Sequence, residues 1–434
     1  MLKIAVIGLG SRGKNYGTHL AKRDDVQIVA VCDKYRSKID KVKELWKVDD
    51  KMCFTNEDDF FALGKVGDCM LIATQDRDHY AHAMKALQLG YDVLVEKPLS
   101  PNIEECLQLE KYAREHGRKV LVCHVLRYAG YYRKIKQMID EGVIGDVQLI
   151  KHDENIAYWH FCHSYVRGNW RREDETSPML LAKCCHDMDL MYWFTGSKCK
   201  SLNSYGGLTY FNKEHRPEGA TQYCFDCPHR MTCNFEVEHQ YLGRKRGLGR
   251  GKKKFLWGTY AFSTSSKKKD VLNALKNDER AKQWARCVFA CDNDVADCQS
   301  VNMQMDNGIN VVMTANAFNE QDYRHTEIRG SKGIIIADDR GSVIRLKLFG
   351  KKEKKIIVNI IPVIKGHYGG DEGIVKATVG MLTGNSAPDM QYTWIADTIE
   401  SHRIVTAAEM SRLSGGKTVD MKDIPDIDTF VSKE

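Results

Sequence analysis

The stretch "KIAVIGLGSRG", Lys3 to Gly13, decides the fold. Lys3–Ile7 is a short apolar run rich in β-branched residues, the composition of a buried strand. Gly8, Gly10 and Gly13 follow at once in GxGxxG spacing. The three glycines serve, in turn, a tight turn, close approach of backbone to a pyrophosphate, and close packing of helix on strand. A helical stretch then runs to about Lys22, and a second apolar run, "VQIVAVCD", ends in Asp33, 20 residues after Gly13. An acid at that position suits a ribose diol. Lys34 and Arg36 come next and suit a 2′-phosphate, so NAD is the expected cofactor with NADP left open.

The rest of the first third repeats the strand and helix alternation. "CMLIAT" reads as a strand, "DHYAHAMKALQLG" as a helix closed by Gly90, "YDVLVEK" as a strand, "NIEECLQLEKYAREHG" as a helix and "KVLVCH" as a strand. Such alternation predicts a parallel, doubly wound sheet with its ligand at the C-terminal strand ends. Ser11 and Arg12 in the glycine loop, and Thr74, His79, Glu96 and Lys97 after it, complete the expected cofactor contacts. Lys97, in "EKPLS", falls where an ammonium can orient a hydroxyl or polarise a carbonyl.

Composition bounds the alternatives. A chain of 434 residues points to two or three domains, and 43% hydrophobic with 28% charged residues is ordinary for a protein with a substantial core. There is no uncharged apolar run of about 18 residues, and the chain goes straight into a strand, so no membrane association and a cytoplasmic location are expected. Fifteen cysteines fit that compartment as thiols or ligands. Cys32, Cys69 and Cys123 read as core fillers. The net charge of +7 is concentrated in "GRKRGLGRGKKKF" (Gly243–Phe255) and "SSKKKD" (Ser265–Asp270). No aromatic pattern is interleaved there, so a solvated loop is preferred to a nucleic-acid surface.

"GLGSRG", "VCDK", "EKP" and the later "CHDMDL", in this order and at these separations, resemble the glucose-fructose oxidoreductase, inositol dehydrogenase and rhizopine-catabolism (Gfo/Idh/MocA) family. The resemblance reaches the terminal "IESHRIVTAAEMSRLSG" helix. It implies a Rossmann domain over residues 1–123 and, over 124–434, an α/β domain whose open, mostly antiparallel sheet binds a sugar or cyclitol and mediates homo-oligomer contacts. It also implies hydride transfer between a sugar carbon and NAD(P), and a cis Lys97–Pro98 peptide. One departure stands out. Family members carry an acid four residues before the histidine of this motif, and that position is Ala182 here.

The second segment holds the candidate substrate residues. "HVLRYAGYYRKIKQMIDEGVIGDV" is expected to be a helix closed near Gly142, and "DVQLIKHDEN" the first strand of the substrate sheet. "YWHFCHSYVRGNWRRE" combines aromatic faces with hydrogen-bonding groups, as a carbohydrate requires. Tyr158, His160, His163, Arg167 and Trp170 are placed near the substrate on that basis. In "LLAKCCHDMDLMYW" (Leu180–Trp193), Lys183 and His186 are three apart and are expected on one helical face. A desolvated lysine beside a second cation should have a lowered pKa, so Lys97, Lys183 and His186 form the catalytic hypothesis, with Lys183 or His186 taking the hydroxyl proton. Asp187 and Asp189 read as structural. By the resemblance, "GHYGGD" brings His367 and Asp371 to the sugar side.

A basic, cysteine-bearing insertion is expected at about 215–270. Cys224, Cys227 and Cys233 form C-x2-C-x5-C, and Cys287 is the preferred fourth ligand of a structural zinc, with His229, an iron–sulfur cluster and unligated thiols as alternatives. Three functional readings follow. The first is an NAD-dependent oxidoreductase acting on a sugar, glycoside or cyclitol hydroxyl. The second is a glycosidase using tightly bound NAD by transient ring oxidation and elimination. The third is a non-catalytic sugar and nucleotide sensor.

Overall fold

Six parallel strands carry the N-terminal part of the computed structural model, which describes residues 1–242, 256–263, 265, 267–358, 367–385 and 390–431. They are β1 (Leu2–Ile7), β2 (Val26–Cys32), β3 (Cys53–Phe54), β4 (Cys69–Ile72), β5 (Asp92–Val95) and β6 (Val120–Val122), in the order β3-β2-β1-β4-β5-β6. Ile4–Ile7 and Cys69–Ile72 are buried along their whole length, as strands covered on both faces must be. The order reverses between β1 and β4, which opens a crevice above Gly8. The helix Ile103–Glu115 starts where the Asn102 side chain accepts from the Glu104 amide at 3.0 Å.

The second sheet has nine strands: β7 (Val147–Ala157), β8 (Cys199–Gly207), β9 (Cys298–Met305), β10 (Asn310–Asn319), β11 (Tyr323–Gly330), β12 (Gly333–Asp338), β13 (Val343–Leu348), β14 (Lys354–Ile357) and β15 (Val419–Asp420). Their order is β14-β13-β12-β11-β7-β10-β9-β8-β15, antiparallel except between β7 and β10. Val311, Met313, Ala315 and Ala317 of β10 alternate inward and pack with Ile150, Ile328 and the helix Cys185–Thr195. The chain later returns to the first sheet. Ile374 and Val375 of the helix Gly370–Thr383 pack with Ile4 and Leu71.

Two local expectations change. "HVLRYAGYYRK" is a 3₁₀ turn, Val125–Tyr128, followed by a separate helix, Gly130–Asp140. The guanidinium of Arg127 is drawn to Asp189 by hydrogen bonds of 2.7 and 2.6 Å, a tertiary pair that overrides helix continuation. "LLAKCCHDMDLMYW" is also two helices, Met179–Ala182 and Cys185–Thr195, interrupted at Lys183 and Cys184. The Ala182 carbonyl, which an unbroken helix would offer to the His186 amide, accepts from Lys97 Nζ instead.

Candidate active site

The glycine loop has the form its spacing predicts. Gly8 has φ +89°, and a Cβ there would lie 2.4 Å from the Ala73 carbonyl oxygen; one on Gly13 would lie 1.9 Å from that of Gly8. Gly10 is different, because a Cβ there meets nothing within 4 Å and points into open space. That open space is where a dinucleotide backbone can approach, so the loop fits the group its sequence implies. A crevice of about 300 Å³ adjoins it, lined by Gly8, Asp33, Lys34, Thr74 and Gln75 among others. Asp33 is fixed by the amides of Leu9 at 2.8 Å and Tyr35 at 2.9 Å, and Lys38 Nζ stands 3.3 Å from its Oδ2.

Other expected cofactor residues have protein partners. Thr74 Oγ1 lies 3.0 Å from His82 Nδ1, which stays at the crevice wall. His79 Nδ1 is 2.6 Å from the Pro98 carbonyl oxygen, so this histidine secures the loop after Lys97. Arg12 turns inward to Glu96 at 3.0 Å and Asp371 at 2.6 Å. Tyr16 donates to the same Glu96 oxygen at 2.7 Å. Burial, outweighed by Arg12 and Lys97, leaves the Glu96 carboxyl below its ordinary range.

The Lys97–Pro98 peptide is cis. Lys97 Nζ donates to the Ala182 carbonyl, so position 182 still meets this lysine, through backbone rather than a carboxylate. His186 is almost fully buried, and its ring centroid lies 5.6 Å from that of His124 and 6.4 Å from that of His367. Its Nδ1 has no hydrogen-bond partner. Burial first, then Lys97 and His124, push its pKa well below the usual histidine value. A neutral imidazole with a buried, unpartnered Nδ1 thus lies within the electrostatic reach of the Lys97 ammonium. His367 Nδ1 sits 3.0 Å from Asp371, and both His367 and Tyr368 have positive φ, 40° and 55°. His367 and Asp371 therefore meet the Rossmann domain through Arg12 while His367 also flanks His186.

Lys183 departs from the sequence expectation. With the helix broken it does not share a continuous face with His186. Its ammonium stands 3.0 Å from Oε1 of Glu154, a fully buried carboxylate on β7. Burial lowers its pKa, but Glu154 and Asp322 outweigh that and hold it above the ordinary lysine value. The expected lowered pKa is corrected, because the neighbour that matters is an anion. The network continues from Glu154 to Arg324 at 2.9 Å, then through Asp187 to His152 at 2.8 Å.

The aromatic segment divides. His160 Nδ1 lies 2.9 Å from Asp322 Oδ1, joining the Lys183 network. Trp170 Nε1 donates to Asp76 at 3.0 Å, a link across to the Rossmann domain. Tyr158 packs edge-on against Phe235. His163 and Arg167 are corrected as substrate residues, since both are buried beneath the insertion. His163 Nδ1 is 2.6 Å from Tyr241 OH, and Arg167 donates to the carbonyls of Arg286 and Phe235 and to Gln240 Oε1. Burial drives the His163 pKa down to about 3, so this ring is held neutral beside Tyr241 and Trp284.

Cys224, Cys227, Cys233 and Cys287 do converge, around a void of about 20 Å³. Among the described residues, however, no three His, Cys, Asp or Glu side chains are arranged to hold a metal, so the expected structural zinc is not supported. Arg167 Nη2 lies 3.4 Å from Cys224 Sγ and supplies a cation where the metal was expected, while burial raises the thiol pKa values of Cys224 and Cys233. The basic stretch Gly243–Phe255 lies outside the described residues. Among the described residues no helix is long and apolar enough to cross a membrane.

A dinucleotide-type Rossmann sheet, joined to an open mixed sheet with a lysine and a neutral histidine between them, defines the class as a nicotinamide-dinucleotide oxidoreductase fold. The chain belongs to the Gfo/Idh/MocA family. Residues 2–124 match the "Oxidoreductase family, NAD-binding Rossmann fold" and residues 136–356 its "C-terminal alpha/beta domain". It is 27% identical over 371 residues to YteT of Bacillus subtilis, covering 80% of this chain and 78% of YteT. It is 25% identical over 211 residues to the 2,7-anhydro-N-acetylneuraminate hydratase of Mediterraneibacter gnavus, covering 47% of this chain and 52% of that protein, about half the relative's length. The scyllo-inositol dehydrogenase of Lactobacillus casei, solved with NAD(H) and scyllo-inositol, shares the fold with a TM-score of 0.64 at 17% identity, covering 97% of this chain and 99% of that one.

Proposed function

We propose that this chain oxidises a hydroxyl-bearing ring carbon of a sugar, glycoside or cyclitol with a nicotinamide dinucleotide. The observation that carries the reading is His186: buried, neutral, with Nδ1 unpartnered, beside Lys97. The dinucleotide, when bound, accepts the hydride. Among the chain's own groups, the His186 imidazole takes the hydroxyl proton, and the Lys97 ammonium orients the hydroxyl oxygen and favours its developing negative charge. Lys183 and His160, both tied to carboxylates, and Tyr158 serve as sugar-facing groups, with Trp170 at the wall. Glu154 and Asp322 hold Lys183 charged, so it binds substrate and does not take the proton. A second reading, elimination from a transiently oxidised ring, is favoured by the likeness to a hydratase acting on an anhydro sugar.

Purified protein should be given a panel of cyclitols, free sugars and glycosides, with NADH absorbance and aglycone release followed together. Stoichiometric NADH is the expected result. Aglycone release without net NADH would replace the first reading by the second. Neither signal from folded, dinucleotide-binding protein would remove both.

A further inference from the structure

Cys224, Cys227, Cys233 and Cys287 line one void of about 20 Å³, little more than the space of a water molecule, and all four are free thiols. The proposed sugar chemistry uses none of them. Their exposure differs: Cys224 is buried, whereas Cys227, Cys233 and Cys287 are half-buried. Cys291, nearby, donates its thiol hydrogen to the Cys287 carbonyl at 3.3 Å.

Local structure brings one pair together. Cys224–Asp226 is a 3₁₀ turn, and the Cys227 amide donates to the Cys224 carbonyl at 3.3 Å. A turn of this kind holds its end Cα atoms within about 7 Å, close to the span of a disulfide. Arg167 completes the site. Its Nη2 lies 3.4 Å from Cys224 Sγ, and the guanidinium is held by the carbonyls of Arg286 and Phe235 and by Gln240 Oε1. Burial raises the Cys224 thiol pKa and this cation pulls it back, so Arg167 favours the thiolate. The other two thiols are placed differently. Burial raises the Cys233 pKa, and the Cys287 amide is tied to the Gln222 carbonyl at 2.8 Å, on the far side of the bridge between Tyr223 and Arg286.

We propose that Cys224 and Cys227 form a reversible redox site, which a low-molecular-weight disulfide such as glutathione disulfide converts to an intrachain disulfide. Cys227, the more exposed of the two, attacks one sulfur of the small disulfide as its thiolate and expels a first thiolate. Cys224, its charge offset by Arg167, then attacks the Cys227 sulfur of the mixed disulfide and expels the second. The two cysteines are oxidised by two electrons, the small disulfide is reduced to two thiols, and the two cysteine protons end on those thiols. Gln240, which accepts from Arg167, donates from Nε2 to the Trp159 carbonyl at 3.1 Å, so the site is connected to the segment that carries Tyr158 and His160. No sugar or dinucleotide takes part, so the site stands or falls apart from the oxidoreductase reading.

The test incubates the reduced full chain, freed of reductant, with glutathione disulfide, alkylates the remaining thiols and weighs the tryptic peptide 214–230, whose only cysteines are Cys224 and Cys227. Folded wild type should yield this peptide unalkylated and two hydrogens lighter, and dithiothreitol should reverse the change. Cys224→Ser should trap the glutathione adduct on Cys227, Cys227→Ser should slow modification of the peptide by roughly tenfold or more, and Cys233→Ser should leave the bond as in wild type. Cys227→Ser, at a half-buried position, keeps the test open if Cys224→Ser does not fold. Three results would each overturn the proposal: full alkylation of the peptide in folded, glutathione disulfide-treated wild type, a bond from Cys224 or Cys227 to Cys233 or Cys287, or an equivalent of zinc or iron that shields the thiols until it is chelated.

Discussion

Lys183 Nζ stands 3.0 Å from Glu154 Oε1, and this buried pair binds the helix-breaking segment before His186 to the central strand of the substrate sheet. Glu154 is fully buried and also meets Arg324. Removing one partner of a buried pair costs about 3–5 kcal/mol where the other charge is left uncompensated, and the remaining Arg324 contact keeps the cost at the low end; removing both costs much less. Lys183→Met should therefore lower stability by about that amount in urea unfolding, and Lys183→Met with Glu154→Gln should recover most of it. Equal losses in single and double variants would show that the pair is not the unit.

His186 gives a prediction about pH. Its pKa is depressed by burial and by Lys97, so the imidazole is neutral well below pH 6.5. The acid limb of kcat/KM should lie well below the ordinary histidine value of 6.5, without the fall around neutrality that an ordinary histidine base produces. His186→Asn should lower kcat by about 10²–10⁴-fold with dinucleotide affinity unchanged within twofold. A wild-type limb at pH 6.5, or near-normal turnover in the variant, would move the proton to another group.

Much of this was legible in the sequence, and the reasons are local. The glycine spacing and the acid 20 residues on define a Rossmann loop because each demand is steric and short-range, and Gly8 and Gly13 meet it. The break at Lys183 was not legible, since it depends on Lys97 taking the carbonyl of Ala182, 85 residues further along the chain. Glu154 was half-legible. Strand alternation puts His152 and Glu154 on one face of "KHDENIA", where two polar side chains at buried positions signal a site. Which cation Glu154 meets is a matter of tertiary pairing. For the cysteines, spacing singled out Cys224, Cys227 and Cys233, which line one void with Cys287, but could not place Arg167 beside them.

The glycine loop separates folding from binding. Gly13→Ala should unfold or severely destabilise the protein, because its Cβ would fall 1.9 Å from the Gly8 carbonyl oxygen. Gly10 has φ −66°, which alanine tolerates, and its Cβ would enter open space. Gly10→Ala should keep the wild-type melting temperature within about 2 °C while weakening dinucleotide binding by roughly tenfold, the effect of about 1.4 kcal/mol. Unchanged affinity in Gly10→Ala would mean that the dinucleotide does not approach there.

Glu173 reports on a junction remote from the proposed chemistry. Burial first, then Glu409, raise its carboxyl from 4.5 to about 7, against the pull of Arg412 at 3.2 Å. The folded state therefore keeps a proton that the unfolded chain releases, so this contribution is fully present below about pH 4.5 and is lost as pH rises towards 7. Glutamine mimics the protonated acid. Glu173→Gln should thus match wild type in unfolding free energy at pH 4.5 and exceed it by about 1 kcal/mol at pH 8, after allowance for partial solvent screening. A variant less stable than wild type at pH 8 would show that Glu173 is ionised and stabilised by Arg412 instead.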